Sequence, residues 1–189
     1  MTPSEAQTST NLTKKEKRDL RLNMIACTAF VILWLLIEVN QMLANGVIPS
    51  RLSPAIEGGI KFSEIAEGAK WLYFTGFGLK YLALIVTALT MSMALSNMLR
   101  GQIFLKRNAT LLSVSTGSIL VYFFGRMAFE GLANNMVASD LGIEHWWEPG
   151  VSTPLSEYTP ALLLAYALSV AAFAIKRGTK LQEDVDGLV

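Results

Sequence analysis

The chain has 189 residues, of which 52% are apolar and only 16% charged, with a formal net charge of +1. A soluble domain carries about 25% charged residues, so this composition, with a mean hydropathy of +0.40, excludes an ordinary water-soluble globule and equally a disordered chain. The near-neutral balance provides no broad basic field for direct nucleic-acid binding, and the single Cys27 and single His145 exclude a disulfide framework and multi-His metal centres.

The first 20 residues are Ser/Thr-rich up to about Thr13 and then basic, at Lys14, Lys15, Lys17 and Arg18. They are expected to form a flexible tail over 1–20. An apolar stretch follows over about 22–43, broken only by Glu38, and its core is too long for a cleavable signal peptide. The second stretch covers 80–99. Upstream of it Phe62, Ile65, Ala69 and Leu72 fall at helical spacing, which predicts a helix start near Ser63 with Gly68, Gly76 and Gly78 as bends. A short basic turn leads into the third stretch, 109–130, and the fourth covers 158–176. Each approaches the roughly 20 residues that cross about 30 Å of hydrocarbon as a helix, and none alternates like a barrel strand. The expected fold class is all-α, an integral membrane four-helix bundle over 21–178 followed by a C-terminal segment at 179–189.

Orientation follows from the placement of Lys and Arg. The start of the chain, the turn with Arg100, Lys106 and Arg107, and the tail with Lys176, Arg177 and Lys180 are basic, whereas 136–157 holds no Lys or Arg. By the positive-inside rule both termini are cytoplasmic. Small residues mark helix contacts in lipid. They recur at Ala88, Ser92 and Ser96, at Ser113, Gly117 and Gly125, and at Ala161, Ala165 and Ser169. These faces suit packing within the bundle or a contact between copies. Trp146 and Trp147 suit the headgroup belt. His145 with Glu144 and Glu148 lacks a second His, so no metal site is expected.

Four ionisable residues lie within or beside the apolar stretches: Glu38, Lys80, Arg126 and Glu130. At 1.5 Å per residue, Glu38 and Arg126 stand about 24 Å from the cytoplasmic boundary, Lys80 about 28 Å and Glu130 about 30 Å. All four share one level in the outer third. Intramembrane charge is costly and points to function by default. Two readings stand: an ion-paired clamp, with Arg126 and Glu130 pairing one turn apart, or a polar site open to the outer face, with Asn40, Asn134 and Asn135 adding contacts. No charge occupies the inner half of any stretch, so a path across the membrane has no support. No phosphate loop, dinucleotide fingerprint or zinc-protease motif occurs, so neither catalysis nor a cofactor is expected.

Two segments resemble a known family. Leu99-Arg100-Gly101-Gln102-Ile103-Phe104, followed by Arg107-Asn108, is similar to the turn between spans two and three of the bacterial four-span family called domain of unknown function 2975. The ending resembles that family's C-terminal signature: Gly178 to Leu181, then Glu183, Asp184 and Asp186, then the terminal Val189. The similarity covers roughly 83–189 in pattern, and Asp-Gly-Leu-Val looks like the actinobacterial version. The resemblance implies a bacterial inner-membrane protein encoded beside small helix-turn-helix regulators, and thus a membrane-held partner or antagonist of such a regulator. In this reading the acidic tail folds back on the basic turn or docks a partner, with Phe104 as apolar anchor and Asn108 as N-cap of span three. The expected function is a non-enzymatic regulatory or accessory membrane protein. The alternatives are a small transporter or channel using the outer charged cluster, or an assembly subunit of a larger membrane complex.

Overall fold

The computed structural model describes residues 12–143 and 159–187, apart from the Asp186 side chain. Helix α1 (Lys14–Asn45) opens on Thr13, whose hydroxyl accepts the Glu16 N–H while the Glu16 carboxylate accepts the Thr13 N–H at 2.7 Å. This reciprocal cap satisfies donors that a helix start otherwise leaves bare. It also begins the helix well before the apolar stretch, so 14–20 is helical and not a flexible tail; residues 1–11 lie outside the described ones. Bonding from Thr13 holds the Glu16 carboxyl below its ordinary range. The cap is therefore complete above the usual glutamate pKa and is lost as pH falls through the lowered one. Amide exchange at Glu16 and Lys17 is expected to quicken across that acidic window, and at neutral pH in Thr13→Ala. At the other end of α1, Gly46 adopts φ 63° and donates to the Met42 carbonyl, closing the helix in the left-handed conformation glycine tolerates.

Residues 46–66 then fold back as a cap. Val47 and Lys61 form an antiparallel bridge, Ile48 donates to the Ile60 carbonyl at 2.7 Å, and Phe62 donates to the Gly46 carbonyl. The Ser53 hydroxyl accepts the Ile60 N–H at 3.0 Å. These bonds draw 62–65 into the cap, so Phe62–Glu64 is one 3-10 turn and α2 (Glu67–Leu99) starts four residues after Ser63. The next helical rod is continuous from Lys106 to Asp140. It comprises α3 (Lys106–Phe124), a π-helical segment (Gly125–Glu130) and α4 (Gly131–Asp140). Helix α5 (Thr159–Asp186) passes through the expected end of span four near 176 without a break.

The protein is thus all-α, with four helices long and apolar enough to cross a membrane. Closest packing follows chain order: α1 on α2, α2 on α3, α3 on α5. Neighbours run antiparallel, since Thr28 meets Ser92, Glu38 meets Tyr81, Asn97 meets Asn108 and Lys106 meets Glu183. The start of α1, the α2–α3 turn and the end of α5 therefore share one end of the molecule. The cap and α4 occupy the other. One apolar core joins Ala94, Leu111, Ile119, Leu168 and Ile175; a second joins Ile48, Leu52 and Ile60 of the cap to Tyr73, Phe77 and Val137. Helix α1 has no fully buried residue and flanks the rest.

The α2–α3 seam carries polar pairs seven residues apart. Asn97 donates to Asn108 Oδ1 at 2.8 Å, and the Thr90 and Ser115 hydroxyls meet at 2.7 Å, with Asn108 and Ser115 fully buried. A seven-residue repeat keeps one seam facing its partner, and a buried polar pair permits a single register. Of the small residues singled out in the sequence, Ala88, Gly125 and Ala165 are buried, whereas Ser113, Gly117 and Ser169 are exposed. The pairing face of α3 instead follows Asn108, Ser115 and Ile119.

Candidate functional site

Three helices meet at Lys80. Its ammonium lies 3.1 Å from Glu38 Oε2 on α1 and 3.2 Å from Glu130 Oε1 at the end of the π segment. The second contact is Coulombic rather than a well-directed hydrogen bond. Three rings surround the same ammonium: Phe77 at 4.8 Å, Tyr81 at 5.1 Å and Trp34 at 5.5 Å from Nζ to centroid. Each ring face attracts a cation. Tyr81 also donates to Glu38 Oε2 at 2.8 Å and packs edge-on against Trp34, which ties α1 to α2. The Lys80 and Glu130 side chains are 3% and 2% exposed, whereas Glu38 retains 17%.

The π segment explains how Glu130 comes to face Lys80. Gly76 on α2 and Gly125 at the start of the π segment pack backbone against backbone, since a Cβ on Gly125 would stand 3.0 Å from the Gly76 carbonyl oxygen. Helices this close leave no room for a side chain between them. The wider π turn beginning at Gly125 shifts the residues after it around the rod. Arg126, expected as the local partner of Glu130, directs Nη1 to the Tyr122 hydroxyl one turn back at 3.2 Å. Glu38, Lys80 and Glu130 do share one level, as the rise per residue required. Of the nearby amides, Asn134 is buried and accepts from Tyr73 at 2.6 Å, while Asn40 and Asn135 are exposed. The cap residues Ile48, Leu52 and Ile60 share a core with Phe77, which borders Lys80, and Glu38 is the least buried of the three charged members.

The aromatic ring was the part that sequence reasoning missed. Its signal was present: Trp34 precedes Glu38 by one turn, Phe77 precedes Lys80 by three residues, and Tyr81 follows Phe77 by four. The remaining candidate residues assemble at the opposite end. Gly101 adopts φ 78° after α2 and is buried. Asn108 is no N-cap, because α3 begins two residues earlier, at Lys106 after Leu105. Its amide instead donates to the Gln102 and Ile103 carbonyls at 2.7 and 3.0 Å and fixes the turn from within. Asn108→Leu is expected to cost about 2–3 kcal/mol, because it strands these carbonyls and the Asn97 amide; thermal unfolding in mild detergent measures it.

As far as Gly187 the C-terminal segment does not fold back on the turn. Helix α5 continues through it and runs alongside. Gly178 lies against the Phe104 ring, where a Cβ would come within 2.5 Å of two ring carbons, and Glu183 meets Lys106 at 2.7 Å. Arg100 and Arg107 are exposed, as are Leu181 and Asp184. Val189 and the Asp186 side chain, together with the His145, Glu144 and Glu148 group and the adjacent Trp146 and Trp147, lie outside the described residues. No protein-family model, curated protein or solved structure matches the chain.

Proposed function

We propose that this chain is a non-enzymatic integral protein of the bacterial inner membrane, with both termini cytoplasmic, acting in a regulatory or accessory role by binding a protein partner. The observation that carries the reading is the course of α5. It continues as one helix past Lys176 and Arg177, and Leu181 and Val185 lie one turn apart, each 61% exposed. The inward face of the same helix, through Ala172, Ile175 and Thr179, is buried towards α3. An exposed apolar pair on a helix held upright, with Glu183 and Asp184 beside it, suits an apolar groove with a basic rim. The resemblance to the four-span family supports a helix-turn-helix regulator as that partner. Co-purification from gently solubilised native membranes tests the role. A protein recovered with the wild type is expected to be lost with Leu181→Glu/Val185→Glu at equal abundance. Unchanged recovery, or no partner and unaltered transcription on deletion, overturns it. A partner recovered in fixed stoichiometry with other membrane proteins would make the chain an assembly subunit.

The Lys80 cluster favours a second reading, a small transporter or channel. In reconstituted vesicles this reading requires a flux that Glu38→Gln abolishes.

A further inference from the structure

The first two turns of α1 carry a segregated pattern of charge. Lys14, Lys17, Arg18 and Arg21 fall at i, i+3, i+4 and i+7, on one face; Glu16 lies on the other side of the helix, and Asp19, beside the face, meets Arg18 Nε at 3.5 Å on the surface and offsets part of its charge. All four cations are exposed on an ordered helix that Thr13 and Glu16 cap. The same face continues into largely aliphatic surface, with Thr28 at its edge turned towards Ser92 of α2. Ile25, Ile32 and Leu36 lie on it and are 56%, 52% and 61% exposed. Going along this one stripe, cationic groups thus give way to bare hydrocarbon.

The neighbouring turn adds to the charge. Thr28 meets Ser92 at 3.1 Å, and each step towards the start of α1 is a step towards the end of α2. Arg21 therefore stands level with Leu99, and Arg18 with the turn that carries the exposed Arg100 and Arg107.

We infer that the face of Lys14, Lys17, Arg18 and Arg21, completed by Arg100 and Arg107, is a docking surface for anionic phospholipid. Phosphate groups sit among the cations and the acyl chains lie along Ile25 and Ile32. A nucleic acid or an acidic peptide would match the cations but not the hydrocarbon that directly follows them. A phospholipid matches both, in that order and along a single helix. Clustered Lys and Arg beside an apolar span attract anionic headgroups, and the attraction decays within a Debye length.

The test uses the full chain purified in mild detergent, with bound lipid read by native mass spectrometry against equal phosphatidylglycerol and phosphatidylcholine. The wild type is expected to retain phosphatidylglycerol about tenfold over phosphatidylcholine, and the preference should collapse in about 0.5 M NaCl. K14Q/K17Q/R18Q/R21Q should reduce the preference at least threefold with helical circular dichroism unchanged, and adding R100Q/R107Q should reduce it further. Equal retention of the two lipids by the wild type, or a preference that the six substitutions or high salt leave intact, overturns the inference. Displacement of the lipid by inorganic phosphate at low ionic strength overturns it too, because the site would then be one for free phosphate. The salt titration of the wild type decides the matter even if a variant fails to fold.

Discussion

Lys80→Met is expected to be among the most destabilising single substitutions in this chain. Methionine has nearly the length of the lysine stem and fills the same channel between Trp34, Phe77 and Tyr81, so the change is close to a removal of charge alone. What remains is Glu38 and Glu130 facing the same site with no ammonium between them. Breaking a buried ion pair by deleting one partner costs about 3–5 kcal/mol, a large share of the roughly 5–15 kcal/mol that holds a domain together. The three-way contact also joins α1, α2 and the π segment, so α1 should loosen first. The expected readout is a sharp fall in the detergent unfolding midpoint and in accumulation. Adding Glu38→Gln and Glu130→Gln to the same chain should restore most of the loss, since the penalty belongs to the uncompensated carboxylates and not to a missing bond. A Lys80→Met protein as stable as the wild type would mean the cluster ties nothing together.

The level of this cluster could be read from the sequence because helical rise is a fixed number. Counting from a basic boundary puts Glu38, Lys80 and Glu130 at one height, and helices that pass side by side have little freedom to separate them. The four apolar helices were legible for a similar reason, since hydropathy reports the solvent a segment prefers. The ends were not legible. An apolar window sees only the thickness of hydrocarbon, whereas α1 begins at Thr13 through a cap, α4 carries the rod on to Asp140, and α5 continues to Asp186. The same blindness made Asn108 look like a cap. Its spacing to Asn97 was the better signal, because two amides across a tight turn satisfy one another. The π turn itself was unreadable for a different reason. A helical count assumes 3.6 residues per turn, and the π segment breaks that count at Gly125.

Gly125→Ala is expected to be damaging out of proportion to its single methyl group, and it bears on the charged cluster as well as the packing. In an ordinary helix interior alanine is favoured over glycine by about 1 kcal/mol. Here the new Cβ would stand 3.0 Å from the Gly76 carbonyl oxygen and 3.1 Å from Leu79 Cβ. The first of these is backbone and cannot rotate away, so α2 and the rod must part. Overpacking of this kind costs about 1–3 kcal/mol, which outweighs the propensity gain. The separation falls one turn from Lys80, on the same crossing that brings Glu130 to it, and lengthens the one contact that is already Coulombic rather than well directed. Gly76→Ala meets the same crossing from the other side, with Gly125 O at 3.1 Å and Glu130 N at 3.2 Å. Once either helix has moved, the second methyl finds the gap already open, so the double variant should fall well short of the sum of the singles. Gly117→Ala supplies the contrast. Its Cβ would enter open space on the exposed face of α3, and with nothing to displace, only propensity acts. That variant should unfold at the wild-type temperature or slightly above it, which separates a glycine required by contact from one the helix merely tolerates.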